Sequence, residues 1–223
     1  MSPWLLVVVD GPSEVRDAEE PDVARGVVTK ILGHSFGEEC VRHLSVRYWR
    51  HLKGSPLRKE SSLRKGQGDL RMHGRHARHA AWLASLGNAT TAFGTVILLD
   101  NDHDQRSDRR EALRAGVAAA GAEARTAFGL AREMVEAWLL ADPELLARPL
   151  PRGKRCEDLW GSKDDRSSNY PKHVLHRCVL EPRGWTFPRA VEAWSQGRAR
   201  EHSASLDDFL SQVERLAQTQ YVL

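Results

Sequence analysis

Two of the most apolar segments of this chain end in acids. Asp10 follows residues 4–9, with Glu14 four positions on, and Asp100 follows residues 95–99, with Asp102 and Asp104 at alternate positions after it. Glu133 and Glu136 come after a third, shorter apolar segment. Carboxylates gathered on one rim repel one another unless a positive charge sits between them. A hard divalent cation answers that need: Mg²⁺ and Mn²⁺ take oxygen ligands, and an Asp-x-Asp pair after a buried strand projects two carboxylates into one small volume. Each acid taken alone has a plainer reading as a helix cap, and Asp108, just before Arg109-Arg110-Glu111, reads as a cap rather than a ligand. Acid-Gly-x-x-Glu at Asp10 and Glu14, Asp-x-Asp at Asp100 and Asp102, and the third acidic pair together favour a metal.

The second chemical feature is a basic tract. Residues 41–80 hold eleven Lys or Arg against Glu60 and Asp69, a charge of +9 in a chain whose total is +3, which leaves −6 for the rest. Such asymmetry offers one basic surface to a polyanion while carboxylates elsewhere serve another task. Arg71, Arg75 and Arg78 recur at helical spacing with Lys65 before them, and the planar donor fork of arginine matches phosphate oxygens. These four read as a nucleic-acid-binding face; the plainer alternative is a solvated helix face. His73, His76 and His79 share one helical arc but lack a completing Cys or acid for zinc, and Cys156, His173, His176 and Cys178 form a comparably weak zinc pattern. Isolated core or surface positions explain both sets better. No glycine-rich phosphate loop of Walker type occurs.

Alternating strands and helices must position these groups. Residues 4–10 and 95–100 read as strands buried on both faces, and 44–48 and 126–130 as weaker strands. Helices are expected over 22–32, stopped by a C-cap at Gly33, and over 74–86, 110–120 and 133–140, with residues 53–69 as an exposed loop. This alternation predicts an α/β fold: a mainly parallel sheet flanked by helices, with its functional crevice beyond the carboxyl ends of the strands. Six prolines after Asp142 break the tail into short pieces, with helices expected near 171–178, 188–195 and 205–217. We read residues 1–150 as the α/β core and 151–223 as a helical C-terminal extension packed on the same domain.

A length of 223 residues suffices for one well-buried core. With 41% apolar and 28% charged residues, the chain lies outside the low-hydrophobicity, high-charge composition of disordered proteins. Cys40, Cys156 and Cys178 are odd in number and widely spaced, which argues against a disulfide framework. The longest apolar run is too short to span a bilayer and has no Lys or Arg before it, so a cytoplasmic location without membrane contact is expected.

Asp10-Gly-Pro-Ser-Glu14 resembles the Val-Glu-Gly-x-x-Glu opening of TOPRIM domains, in particular those of OLD-type (overcoming lysogenisation defect) nucleases and of small stand-alone TOPRIM-like proteins. Leu99-Asp100-Asn-Asp102 resembles their Asp-x-Asp. Arg132-Glu133-Met-Val-Glu136-Ala-Trp-Leu-Leu-Ala-Asp142-Pro is similar to a segment of a small TOPRIM-like family of unassigned function. Asn169-Tyr-Pro171-Lys172 resembles that family's later Pro-Lys, where OLD nucleases also carry a functional lysine. The likeness runs from Trp4 to about Leu216 through short motifs separated by poorly matching sequence. It departs in two places: Asp10 stands where the family has glutamate, one methylene longer, and residues 15–21 look like an insertion that would put Glu14 on a loop.

The resemblance implies a TOPRIM-like, Rossmann-like core that binds Mg²⁺ or Mn²⁺ and hydrolyses phosphodiesters of DNA or RNA, with DNA the expected substrate. Metal ligands would come from Asp10, Glu14, Asp100, Asp102, Glu133 and Glu136. Glu14, Asp100, Asp102 and Lys172 would be the catalytic residues. It further implies an ABC-type ATPase partner in phage defence, and a homo-oligomer is compatible with it. The alternative is a non-catalytic metal- or nucleic-acid-binding subunit in which Asp10 marks a decayed site. A haloacid-dehalogenase-type phosphatase wants Asp-x-Asp after its first strand, where this chain has Asp10-Gly-Pro. A response-regulator receiver is shorter and needs paired acids there. Topoisomerases and primases need an accompanying module for which this length has no room.

Overall fold

The structure, a computed structural model, describes residues 5–9, 26–49, 74, 77–78, 80, 92–101, 106–132, 135–147 and 170–220. Four strands, β1 (Leu5–Val9), β2 (Leu44–Tyr48), β3 (Gly94–Asn101) and β4 (Thr126–Arg132), form one sheet in the order β2-β1-β3-β4. Every pairing is parallel. All four strands therefore point their carboxyl ends at the same edge. The chain steps from β1 to β2 on one side and then crosses to β3 on the other, so strand order reverses between β1 and β3, where open α/β sheets form their crevice.

The all-parallel sheet is covered on both faces, which is why β1 reads as an unbroken apolar run: all five of its residues are buried. Its side chains alternate between two cores. Leu5, Val7 and Val9 join Val96 and Leu98 in one, with Val27, Val28, Ile31 and Leu32 above them. Leu6 and Val8 join Ile97 and Leu99 in the other, against Leu113, Val117 and Trp49. The edge strand β2 is only half-buried, which accounts for its weaker pattern.

Helices α1 (Val27–Phe36), α2 (Glu38–Arg42), α3 (Arg106–Ala118), α4 (Glu136–Leu140) and α5 (Pro143–Leu146) follow in the first two thirds of the chain. Both expected boundaries of the first helix move, and the helix expected over 110–120 spans Arg106–Ala118. Helix α1 begins behind an extended Gly26 rather than at residue 22, and it runs through Gly33 to end at Gly37, whose φ is +85°. Gly33 serves packing instead: a Cβ there would stand 3.1 Å from Glu38 Oε1 and 3.4 Å from Val41 Cγ2, where α2 folds back. Asp108 is not a cap, because α3 starts two residues before it. Of the helix expected over 74–86, the described positions Gly74, Ala77, Arg78 and Ala80 are helical, with Ala77 and Ala80 buried and Arg78 exposed. The loop at 53–69 lies outside the described residues.

The C-terminal part is helical: α6 (Tyr170–Leu175) passes through a π turn into α7 (Glu181–Arg183), followed by α8 (Phe187–Ala193), α9 (Gln196–Arg200) and α10 (Ala204–Gln220). Helix α9, not expected from sequence, is capped by the Ser195 hydroxyl accepting from Arg198 N–H. Helix α10 lies on β4, whose Ala127, Gly129 and Ala131 leave room for Phe209; a Cβ on Gly129 would stand 2.7 Å from its ring. Phe209 stacks on Trp138 at 5.4 Å. Trp138 Nε1 donates to Ser205 Oγ, and Trp194 Nε1 donates to the Trp138 carbonyl. These contacts tie α4, α8 and α10 into the core that contains β1 and β3. Among the described residues, no helix is long and apolar enough to cross a membrane.

Candidate functional site

Asp100 is the penultimate residue of β3 and pairs in register with Ala131 of β4, which places it at the carboxyl edge of the sheet. It is half-buried. The N–H of Val135 donates to its Oδ1 at 3.1 Å. Because Val135 immediately precedes α4, this bond brings the start of that helix to the end of β3. The next residue, Glu136, opens α4 and is 4% exposed. A carboxylate this deeply buried needs a counter-charge or hydrogen bonds, and Lys172 of α6 stands opposite, its Nζ 3.7 Å from Glu136 Oε1.

Three residues selected from sequence, Asp100, Glu136 and Lys172, are thus linked across β3, α4 and α6. Lys172 differs from Glu136 in being 62% exposed at its side chain. Its ammonium therefore borders solvent while the carboxylate beneath it does not. The carbonyl of Asp100 also accepts from Arg109 Nη1 at 2.5 Å, so the first turns of α3 brace the strand end. Arg109 belongs to no motif in the sequence; only its place in the helix after the Asp-x-Asp marks it.

Asp10, Glu14, Asp102, Asp104, Glu133, Lys65, Arg71 and Arg75 lie outside the described residues, as do His73, His76, His79 and Cys156. Cys178 is buried whereas His173 and His176 are exposed. Among the described residues, no group of three or more His, Cys, Asp or Glu is placed to hold a metal. The donors that are described, the Asp100 and Glu136 carboxylates, are of the oxygen type that Mg²⁺ and Mn²⁺ prefer.

Asp142 shows how differently a neighbouring acid of the same segment is used. It is fully buried and caps α5 by accepting from Glu144 N–H. It also accepts from Ser195 N–H and, at 2.8 and 3.0 Å, from Arg198 Nε and Nη2. Burial alone would push its carboxyl up, but the Arg198 hydrogen bonds together with the two backbone donors hold it below the ordinary aspartate value. With its oxygens so engaged, Asp142 is a structural tie between α5 and α9. Cys40 is equally committed to structure, its thiol pushed up to about 11 by burial.

No family model, curated protein or solved structure matches this chain.

Proposed function

We propose that the protein is a Mg²⁺- or Mn²⁺-dependent nuclease of TOPRIM type acting on DNA or RNA. One observation supports the reading: Asp100, at the carboxyl edge of a parallel sheet beside its point of strand reversal, accepts from the N–H of Val135, and the next residue, Glu136, pairs with Lys172. Asp100 and Asp102 would hold the cation with Asp10 or Glu14, and Glu133 or Glu136 would help place a second. The bound cation would supply an activated water and offset charge on the scissile phosphate. Asp100 is held in orientation by Val135 N–H, which limits rotation of a ligand carboxylate. The exposed Lys172 ammonium is available to a phosphate oxygen, leaving Glu136 as it turns outward. The basic tract around Arg78 would track the strand. Work with an ATPase partner in phage defence belongs to the same proposal.

Incubation of the purified protein with linear, circular and single-stranded DNA and RNA, in Mg²⁺, Mn²⁺ or chelator, tests this directly. Metal-dependent cleavage that Asp100→Ala abolishes is the expected result. A second reading, a non-catalytic binding subunit, is favoured by the Glu136–Lys172 ion pair, which gives each group a counter-charge without a ligand. Inert wild-type protein on every substrate, alone and with an ATPase partner, would leave that reading in place of the first.

A further inference from the structure

The arginines that hold this fold together each spend several donors. Arg125 donates from Nε and Nη2 to the carbonyls of Phe93 and Ala92. Arg198 places Nε and Nη2 on Asp142, and Arg200 uses all three side-chain nitrogens, on Asp207, Glu214 and Ser211. Arg109 spends one. Its Nη1 donates to the Asp100 carbonyl at 2.5 Å, its Nε is buried without a hydrogen-bond partner, and no carboxylate pairs with it among the described residues. A buried donor left unmet costs stability. Bracing one carbonyl needs no cation, so the fold alone does not account for a half-buried guanidinium at this position.

The position is the carboxyl edge of the sheet. Arg109 takes the main-chain oxygen of Asp100, whose carboxylate Oδ1 accepts from Val135 N–H instead. Positive charge thus reaches the strand end without a hydrogen bond that would compete with a cation for that carboxylate. Lys172, the partner of Glu136, belongs to a helix on the other side. Leu113 and Val117 of α3 lie in the core on one face of the sheet, and Val174 and Leu175 of α6 lie in the core on the opposite face.

A guanidinium that the fold does not neutralise, set beside acids suited to Mg²⁺ or Mn²⁺, fits a ligand whose negative charge meets the arginine and the metal together. A phosphodiester is such a ligand. We propose that Arg109 is a substrate-binding residue of this edge, its Nη2 donating to a non-bridging phosphate oxygen of DNA on the side opposite Lys172. Fixing one nitrogen on a carbonyl sets the plane of the guanidinium before the phosphate arrives, which lowers the entropy lost on binding. The inference rests on the nuclease reading of the strand-end site and adds to it a residue that no motif marks.

Fluorescence anisotropy of a labelled DNA oligonucleotide with the full chain, in Ca²⁺ as an oxygen-seeking cation and at several salt concentrations, tests it. Arg109→Ala, or Arg109→Met if the smaller side chain loosens the strand end, should weaken binding about tenfold and lower the log-log salt slope by about 0.7–0.9, the share of one phosphate. Arg109→Lys keeps the charge and should keep the slope. Arg114→Ala should change neither: Arg114 belongs to the same helix, but it pairs with Glu111 and lines a groove of about 620 Å³ between α3 and α10, beside β4. An unchanged slope in the neutral variants, while wild type binds and cleaves DNA, overturns this inference alone. Equal loss of slope in Arg109→Lys would mean that Arg109 acts only by bracing the strand, and equal loss in Arg114→Ala would mean that any cation of α3 serves; either result overturns it as well. Wild-type protein that binds no DNA overturns the functional reading, and this inference with it.

Discussion

At the scale of single residues, the acids of one short segment serve opposite ends. Glu136 and Asp142 are both buried, six positions apart, yet Glu136 faces an exposed lysine while Asp142 is closed in by arginine and two backbone donors. Lys172→Ala should reduce metal-dependent cleavage by about 100-fold or more, the scale of losing one positioned donor to a developing charge. Its thermal midpoint should fall as well, because the buried Glu136 carboxylate loses its counter-charge; single-turnover assays and a thermal melt read the two effects separately. Asp142→Asn should destabilise the fold by about 2–4 kcal/mol, since it leaves buried donors mismatched. An aspartate with a depressed folded pKa stabilises above its unfolded value, near 3.9, and that contribution is lost as pH falls through the folded value. Denaturant melts of wild type should therefore lose stability below about pH 4 more steeply than melts of Asp142→Asn.

At the scale of elements, the close approach of α10 to β4 decides where the C-terminal helices sit. Small residues on one face of β4 accept Phe209, and the same helix supplies Gln212 to cap the outer edge of the strand. Gly129→Val should cost about 1–3 kcal/mol by overpacking, measurable as a lower urea midpoint, and because Phe209 stacks on Trp138 of α4 the strain should reach the helix that carries Glu136. Lys30 performs a comparable task between α1 and α8: its ammonium donates to the carbonyls of Val191, Glu192 and Trp194, where helix α8 ends. Burial pulls its pKa down, although the nearby Asp142 opposes that shift.

At the scale of the whole molecule, charge is divided along the sequence between a basic tract and an acidic remainder, and the parallel sheet carries Asp100 to its carboxyl edge. Arg78, the described member of the arginine series, is exposed on a helical segment. This helix approaches α3 so closely that a Cβ on Gly116 would run into the Gly74 carbonyl oxygen. Replacing Arg71, Arg75 and Arg78 together with Ala should weaken nucleic-acid binding and flatten its log-log salt dependence by about 0.7–0.9 for each phosphate that is no longer neutralised. Titrations at several salt concentrations check this, and an unchanged slope would assign the tract to a solvated face.

The sequence by itself determined the strands β1 and β3, the parallel α/β plan and the place of Asp100. Strands covered on both faces must be apolar throughout, and the residue that ends such a run must lie at the sheet edge. Local pattern could also find α10, long and amphipathic, but not the end of α1: Gly33 and Gly37 are both plausible stops, and packing of α2 decides between them. Only the tertiary structure decided which charges meet. The partners of Asp142 and Glu136 lie 56 and 36 residues away in sequence, and such pairings depend on how short helices stack, which no local spacing encodes. Arg109 at the Asp100 carbonyl and the groove beside β4 likewise exist only once α3 and α10 have docked.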